Sequence, residues 1–260
     1  MSKKWSAEEK SGHYIVLKKL YISENKTIKE VGKILGISQQ AVFKRLEMLS
    51  IKTIRAKKLN YCNQRHDIKI PKKRSADLAE FFGIMLGDGK LSPTQIIVTL
   101  GDKEKSYVLY VQAKIKKIFG ACPKISVRKL GYHDVYLGSV ELSRWLKEEG
   151  LVYNKVKSQV SAPQWIFDKK EYCEAFLRGF FDTDGSIYAL RYGIQISFTN
   201  MSLPLLKSLQ KMLFALEYRA SVISSSKIYI TKKEDVMRFF KEIRPANQKH
   251  IERFGLLTSK

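Results

Sequence analysis

The chain has 260 residues, 44% of them hydrophobic, which is enough for one large or two modest cores and too apolar for a disordered chain. Its 48 Lys and Arg against 25 Asp and Glu leave a net charge of +23, which no fold requires and which points to polyanionic partners: DNA, RNA or an anionic membrane. Three widely spaced cysteines, Cys62, Cys122 and Cys173, form no CxxC or Cys/His cluster, which argues against a zinc site or a disulfide framework.

The N-terminus lacks a hydrophobic signal core, and no run approaches transmembrane length. The sequence therefore predicts an intracellular protein, in the cytoplasm, nucleoid or an organelle, not secreted and with no membrane partner.

The first predicted helix runs from about Glu9 to Ser23, with Tyr14, Leu17 and Leu20 toward a core. Residues 27–50, TIKEVGKILGISQQAVFKRLEMLS, follow. Thr27 and Glu30 have the spacing of a capping box, Gly36 allows a sharp turn, and Ser38 can cap a second helix carrying Val42, Leu46 and Leu49. Helix, glycine turn and capped helix make a helix-turn-helix pattern. Gln39, Gln40, Phe43 and Lys44 would then face a major groove, Gln toward an adenine edge and Lys44 or Arg45 toward phosphate or guanine. A helical bundle with a merely solvated polar face is the alternative.

Residues 52–74 are basic, with Lys57, Lys58, Lys72, Lys73 and Arg74 among the cations and only Asp67 opposing them. Such a segment can track a phosphate backbone or serve as a solvated linker.

From Ser75 onward one unit is written twice. The first copy predicts a helix Asp77–Gly87 ending at Asp88, the strand TQIIVTL, a helix from about Lys103 to Phe119, the strands KISVRKL and HDVYLGS, and a helix from Val140 to Glu149 capped by Ser139. The second predicts a helix Lys170–Thr183 ending at Asp184, strands SIYAL and IQISFTN, a helix Leu203–Leu216, strands ASVIS and KIYITK, and a helix Lys233–Ile243 with Thr231 and Glu234 as a capping box. In IQISFT, Ile194, Ile196 and Phe198 would face the helices, while Gln195, Ser197 and Thr199 face the other way; on the last strand Lys227, Tyr229 and Thr231 share that outer face. A sheet polar on one face can lie in a DNA groove, although solvent alone would also satisfy it.

Gly83 and Gly87 lie four apart, as do Gly179 and Thr183, so small residues line one face of each opening helix. Packing those faces together brings Asp88 and Asp184 to a common midline. Two carboxylates at helix C-termini repel each other and the helix dipoles. A divalent cation relieves this. Asp88 and Asp184 with backbone carbonyls, at Gly87 and Thr183, and water suit Mg²⁺. Beside a phosphate backbone such an ion can serve phosphodiester hydrolysis. The competing reading, two ordinary Asp-Gly turns, has to explain why the pattern occurs twice.

The segments FFGIMLGDG and LRGFFDTDG resemble the LAGLIDADG motif of homing endonucleases in the two-motif monomeric form, over residues 76–260. Leu86 replaces the first motif aspartate and Asp182 keeps it, while the metal-binding aspartate of the motif matches Asp88 and Asp184.

The resemblance implies an α+β fold: a pseudo-two-fold pair of αββαββα units forming a saddle-shaped antiparallel sheet, here preceded by a small all-α helix-turn-helix domain. The expected boundaries are 1–52 for the helix-turn-helix, 53–75 for a basic linker, and 76–165 and 166–260 for the two repeats. The resemblance also implies Mg²⁺-dependent cleavage of both strands of a long double-stranded DNA site, with Mn²⁺ or Ca²⁺ able to replace Mg²⁺ for binding.

Near the scissile phosphates it points to Asp102 and Asn200, and to a lysine at the end of the fourth strand, Lys232 or else Lys227; the first repeat has no such lysine. Gln95, Arg191, Gln195, Ser197 and Tyr229 are the strand-borne candidates for DNA contact. Splicing residues are not evident, so the expectation is a free-standing monomeric endonuclease of an intron or other mobile element. A transcription regulator on an inactive endonuclease fold, and a splicing cofactor binding intron RNA, are the alternatives.

Overall fold

The computed structural model describes residues 5–24, 26–51, 67–128 and 131–259. Lys57, Lys58 and the rest of residues 52–66 lie outside the described residues. The chain divides into two units, Met1–Cys62 and Asn63–Lys260.

In the first unit, Ser6 caps α1 (Ala7–Leu17), which continues as a π-helical turn, Lys18–Ser23. Thr27 and Glu30 form a reciprocal capping box at α2 (Ile28–Leu35): the Thr27 N–H donates to Glu30 at 2.7 Å and the Glu30 N–H to the Thr27 hydroxyl at 3.3 Å. Gly36, at φ +64°, ends α2 in the left-handed conformation that glycine adopts without strain. Ser38 then accepts the Ala41 N–H at 3.2 Å and starts α3 (Gln39–Met48). Leu17, Tyr21, Val31, Val42, Leu46 and Ile51 make the core, with Leu20 packed against it. Tyr14, expected inside, is exposed with Lys18 over its ring, because only the C-terminal part of the first helix reaches the core.

The second unit contains both copies. The first is α4 (Ala76–Leu86), β1 (Gly89–Leu91), β2 (Gln95–Leu100), α5 (Lys105–Phe119), β3 (Lys124–Val127), β4 (His133–Gly138) and α6 (Val140–Glu148). The second is α7 (Lys170–Asp184), β5 (Gly185–Leu190), β6 (Gly193–Thr199), α8 (Leu203–Ala215), β7 (Lys227–Ile230) and α9 (Lys233–Glu242), and α10 (Gln248–Thr258) closes the chain. Both sheets are antiparallel, with strand orders β1-β2-β4-β3 and β5-β6-β7. The alternation is plain in β2, where Ile96, Val98 and Leu100 are buried and the intervening residues half-buried, and equally in β4. One apolar core runs through both copies and includes Phe81, Phe82, Phe176, Phe180, Phe181, Phe198 and Phe239 at full burial. Each such ring contributes about 1.5–3 kcal/mol by leaving water.

Several expectations need correction. The second sheet has three strands among the described residues, not four. Where ASVIS was expected to pair, only the bridges Ala220–Ile230 and Ser224–Lys227 form. The Ser221 hydroxyl, instead of a strand carbonyl, takes the Tyr229 N–H at 3.0 Å, which breaks the ladder. The Thr231–Glu234 capping box is not made either: Lys232 is the N-cap without a side-chain bond, and Glu234 pairs with Arg219 at 3.2 Å. In the first copy the turn after Asp88 begins with the extra short strand β1.

Candidate metal and nucleic-acid site

The two opening helices meet backbone to backbone. A β-carbon on Gly83 would sit 2.8 Å from the Phe180 nitrogen, and one on Gly179 would sit 3.0 Å from the Ile84 nitrogen. One on Gly87 would lie 2.8 Å from the Thr183 β-carbon. All three distances are too short for any larger side chain, so the small residues are a condition of the packing. The Thr183 hydroxyl turns back to its own helix, donating to the Phe180 and Gly179 carbonyls at 3.0 and 3.1 Å.

This contact sets Asp88 and Asp184 at the adjoining ends of α4 and α7. Burial raises the pKa of Asp88, and the Asp184 charge raises it further, to about 6. Burial also raises that of Asp184, opposed by Asn200, Lys155 and Lys249. Asn200 donates its side-chain amide to Asp184 at 2.9 Å. Lys155, from the segment between the copies, donates to the carbonyls of Gly87 and, at 3.2 Å, Met85. Burial lowers its pKa although both aspartates oppose this. Lys249, at the start of α10, pairs with Glu104 at 2.7 Å, and Asn247 donates to Glu104 at 2.6 Å. Burial works against the Glu104 charge, but Lys249, Asn247 and the Gly101 N–H outweigh it and hold the pKa low.

Among the described residues no three His, Cys, Asp or Glu side chains form a metal-binding group. The donor set is thus two carboxylates and nearby carbonyls such as that of Gly87. That fits Mg²⁺, which keeps several waters and takes one or two carboxylates together with substrate phosphate.

The family model described as the LAGLIDADG-like domain matches residues 171–244, from the start of α7 to just past α9. Over those residues the chain is similar to that domain. No match is found among curated proteins. Similar solved structures include mesophilic variants of the homing endonuclease I-DmoI, at 15% identity, covering 65% of this chain and 94% of that one, with a TM-score of 0.47. Full-length DUF199/WhiA from Thermatoga maritima is 20% identical, covering 74% and 63%, with a TM-score of 0.48. The I-SmaMI LAGLIDADG homing endonuclease bound to cleaved DNA is 13% identical, covering 72% and 88%, with a TM-score of 0.45.

Within the matched LAGLIDADG-like segment, Asp182 differs in role from Asp184. It is fully buried and accepts the Ala246 and Asn247 N–H groups at 2.9 and 3.1 Å. Burial still raises its pKa, to about 7. Asp182 thereby holds the start of α10, which carries Lys249. Leu86, at the matching place in the first copy, is simply core.

The other expected residues are scattered. Asp102 is exposed in a 3-10 turn, and it is Glu104, two residues on, whose charge reaches Asp88. Lys232 is exposed at the start of α9 and Lys227 half-buried on β7; the lysine charges that act on the aspartate pair come from Lys155 and Lys249 instead. Gln195 and Ser197, expected to be open to DNA, are 8% and 3% exposed, and Gln195 donates to the Tyr188 hydroxyl on the neighbouring strand. Gln95 and Tyr229 are half-buried, and Arg191 is exposed at the β5–β6 turn with its guanidinium over Tyr192.

Lys72 and Lys73 are exposed at a cleft of about 540 Å³, but Arg74 is engaged by Glu149 at 3.3 Å and stacks over Trp165. In the first unit, Gln39, Gln40, Phe43 and Lys44 line one cleft of about 550 Å³ with Ile28. Arg45 lies over the Trp5 ring. No helix among the described residues is long and apolar enough to cross a membrane.

Lys155, Lys249, Glu104 and Asn247 were not singled out from the sequence. One faint signal existed. Each lysine follows an Asn closely and stands at nearly the same remove downstream of its motif aspartate.

Proposed function

We propose that the chain is a divalent-metal-dependent endonuclease that cuts double-stranded DNA at a specific site. The observation that carries this reading is the convergence of Asp88 and Asp184 at the end of a glycine-packed helix pair, where burial raises the pKa of both carboxylates and the Asp184 charge raises that of Asp88 further. The +23 charge supports a nucleic-acid partner, and the solved I-DmoI structures include one in complex with DNA and Ca.

Asp88, Asp184 and the Gly87 carbonyl would hold Mg²⁺, with Mn²⁺ or Ca²⁺ as substitutes. When bound, the ion supplies Lewis-acid stabilisation of phosphate oxygens and a more acidic water. The chain's own residues do the rest. Asn200 fixes the Asp184 carboxylate. Asp182 anchors α10 so that Lys249, paired to Glu104, stays beside Asp88. Both lysines present positive charge where a phosphodiester would lie.

Incubation with Mg²⁺ and a randomised DNA library, with the ends sequenced, tests the reading. The expected result is cleavage at one sequence class, lost in Asp88→Asn and Asp184→Asn while DNA binding persists. Cleavage that survives both substitutions together would exclude this site.

A second reading is a DNA-binding regulator that does not cut. Lys155 favours it, since its ammonium offsets the carboxylates without metal. Binding of the selected sequence without nicking, in Mg²⁺ and in Mn²⁺, would support it.

A further inference from the structure

The aspartate pair already has a cation of its own. Lys155 lies between α6 and α7, in a segment fastened to the second copy. The Ser202 hydroxyl donates to the Val160 carbonyl at 2.6 Å, and the Leu203 N–H to the Gln159 side chain at 3.2 Å. From there Lys155 reaches across to the first copy and donates to the Met85 and Gly87 carbonyls. Its charge acts on Asp88 and Asp184 alike.

Lys249 is different: its ammonium is committed to Glu104. The Lys155 ammonium instead spends its hydrogen bonds on the carbonyls that precede Asp88. Those include the oxygen that an ion held by Asp88 would also use. A monovalent and a divalent cation cannot share so small a buried site without strong repulsion.

We propose that Lys155 is the resident counter-cation of the Asp88–Asp184 pair, and that a divalent ion must displace its ammonium to bind. The proposal rests on the metal-site reading above. It makes the segment between the copies a latch on the site, closed by the bonds of the Lys155 ammonium to the Met85 and Gly87 carbonyls and opened by metal.

Calorimetric titration of Mn²⁺ into the full chain, without DNA, tests it. Lys155→Met is expected to tighten Mn²⁺ binding by about tenfold or more, since the competing charge is gone. Asp88→Asn combined with Asp184→Asn is expected to abolish binding. Unchanged or weaker affinity in Lys155→Met, with binding lost in the aspartate variant, overturns the latch and leaves the metal site standing. Binding that persists in the aspartate variant overturns the metal-site reading itself, and the latch with it.

A second measurement covers the case in which Lys155→Met fails to fold. Lysine-labelled NMR of the unmutated chain should show the Lys155 ammonium signal moving to a solvent-exposed position as Ca²⁺ saturates the site. A signal that stays in place at saturation overturns the proposal.

Discussion

A β-carbon on Gly83 would stand 2.8 Å from the backbone nitrogen of Phe180, and closer still to the Phe176 carbonyl oxygen. Backbone cannot yield there as a flexible side chain would. Gly83→Ala, and Gly179→Ala for the same reason, should therefore push the helix pair apart. The expected loss is about 3 kcal/mol, at the upper end of overpacking costs. Urea unfolding of each variant measures it. A loss below about 0.5 kcal/mol, the range of an ordinary surface change, would contradict the close packing.

The raised carboxylates make a pH prediction for the metal-free chain. Asp88 and Asp182 have folded pKa values pushed to about 6 and about 7, above their value of 3.8 in the unfolded chain. The folded state therefore binds these protons more tightly than the unfolded state. Stability should rise as pH falls from 8 through 7 and 6. His250 acts in the opposite sense: burial lowers its pKa to about 4, so protonation of the unfolded chain costs stability as pH falls below 6.5. In EDTA, unfolding at pH 6 should need more urea than at pH 8. Asp88→Asn should remove part of that difference and stabilise the chain at pH 8 by on the order of 1 kcal/mol. A flat profile from pH 8 to 6 would contradict the buried, charged pair.

The motif helices were legible because each carries a local pattern twice: small residues four apart, then Asp-Gly. Likewise Thr27, Glu30, Gly36 and Ser38 mark the first unit through bonds between near neighbours. The remainder of the site was not legible, since Lys155, Glu104 and Lys249 come from three segments whose convergence only the packing decides. The burial of Gln195 and Ser197 has the same cause. Alternation gives the face of a strand, not the side chains that cover it. Ser221 shows a further limit, because a hydroxyl competing for one N–H is enough to end a predicted strand.

Glu80 illustrates a buried charge that composition cannot reveal. It sits on α4 at 1% exposure and meets Lys114 at 2.9 Å and Arg178 at 3.1 Å, with the Tyr110 hydroxyl also donating to it. Arg178 belongs to α7, so the pair crosses between the copies. Glu80→Ala would leave Lys114 with Asp77 alone and Arg178 with only the Ile243 carbonyl, at an expected cost of about 3 kcal/mol, the lower end for a broken buried pair. Glu80→Gln keeps hydrogen-bond acceptance and should cost less. Thermal and urea melts of both variants check the order. Equal, small losses would mean that Lys114 and Arg178 escape to water.

The first unit predicts a separable contribution to DNA affinity. Gln39, Gln40 and Lys44 are exposed and line one cleft at the start of α3, and Arg45 is held over Trp5. If α3 enters a major groove, Lys44→Ala should weaken binding for all sequences and reduce the salt slope by about 1, the signature of one lost phosphate contact. Gln40→Ala should instead cost about 1–3 kcal/mol on the selected site alone and relax base preference at one position. Fluorescence anisotropy on the selected and on scrambled DNA, from about 50 to about 200 mM salt, separates the two. Neither substitution touches Asp88 or Asp184, so cleavage at saturating enzyme should persist in both. An unchanged affinity and slope in both variants would mean that this helix face meets only solvent.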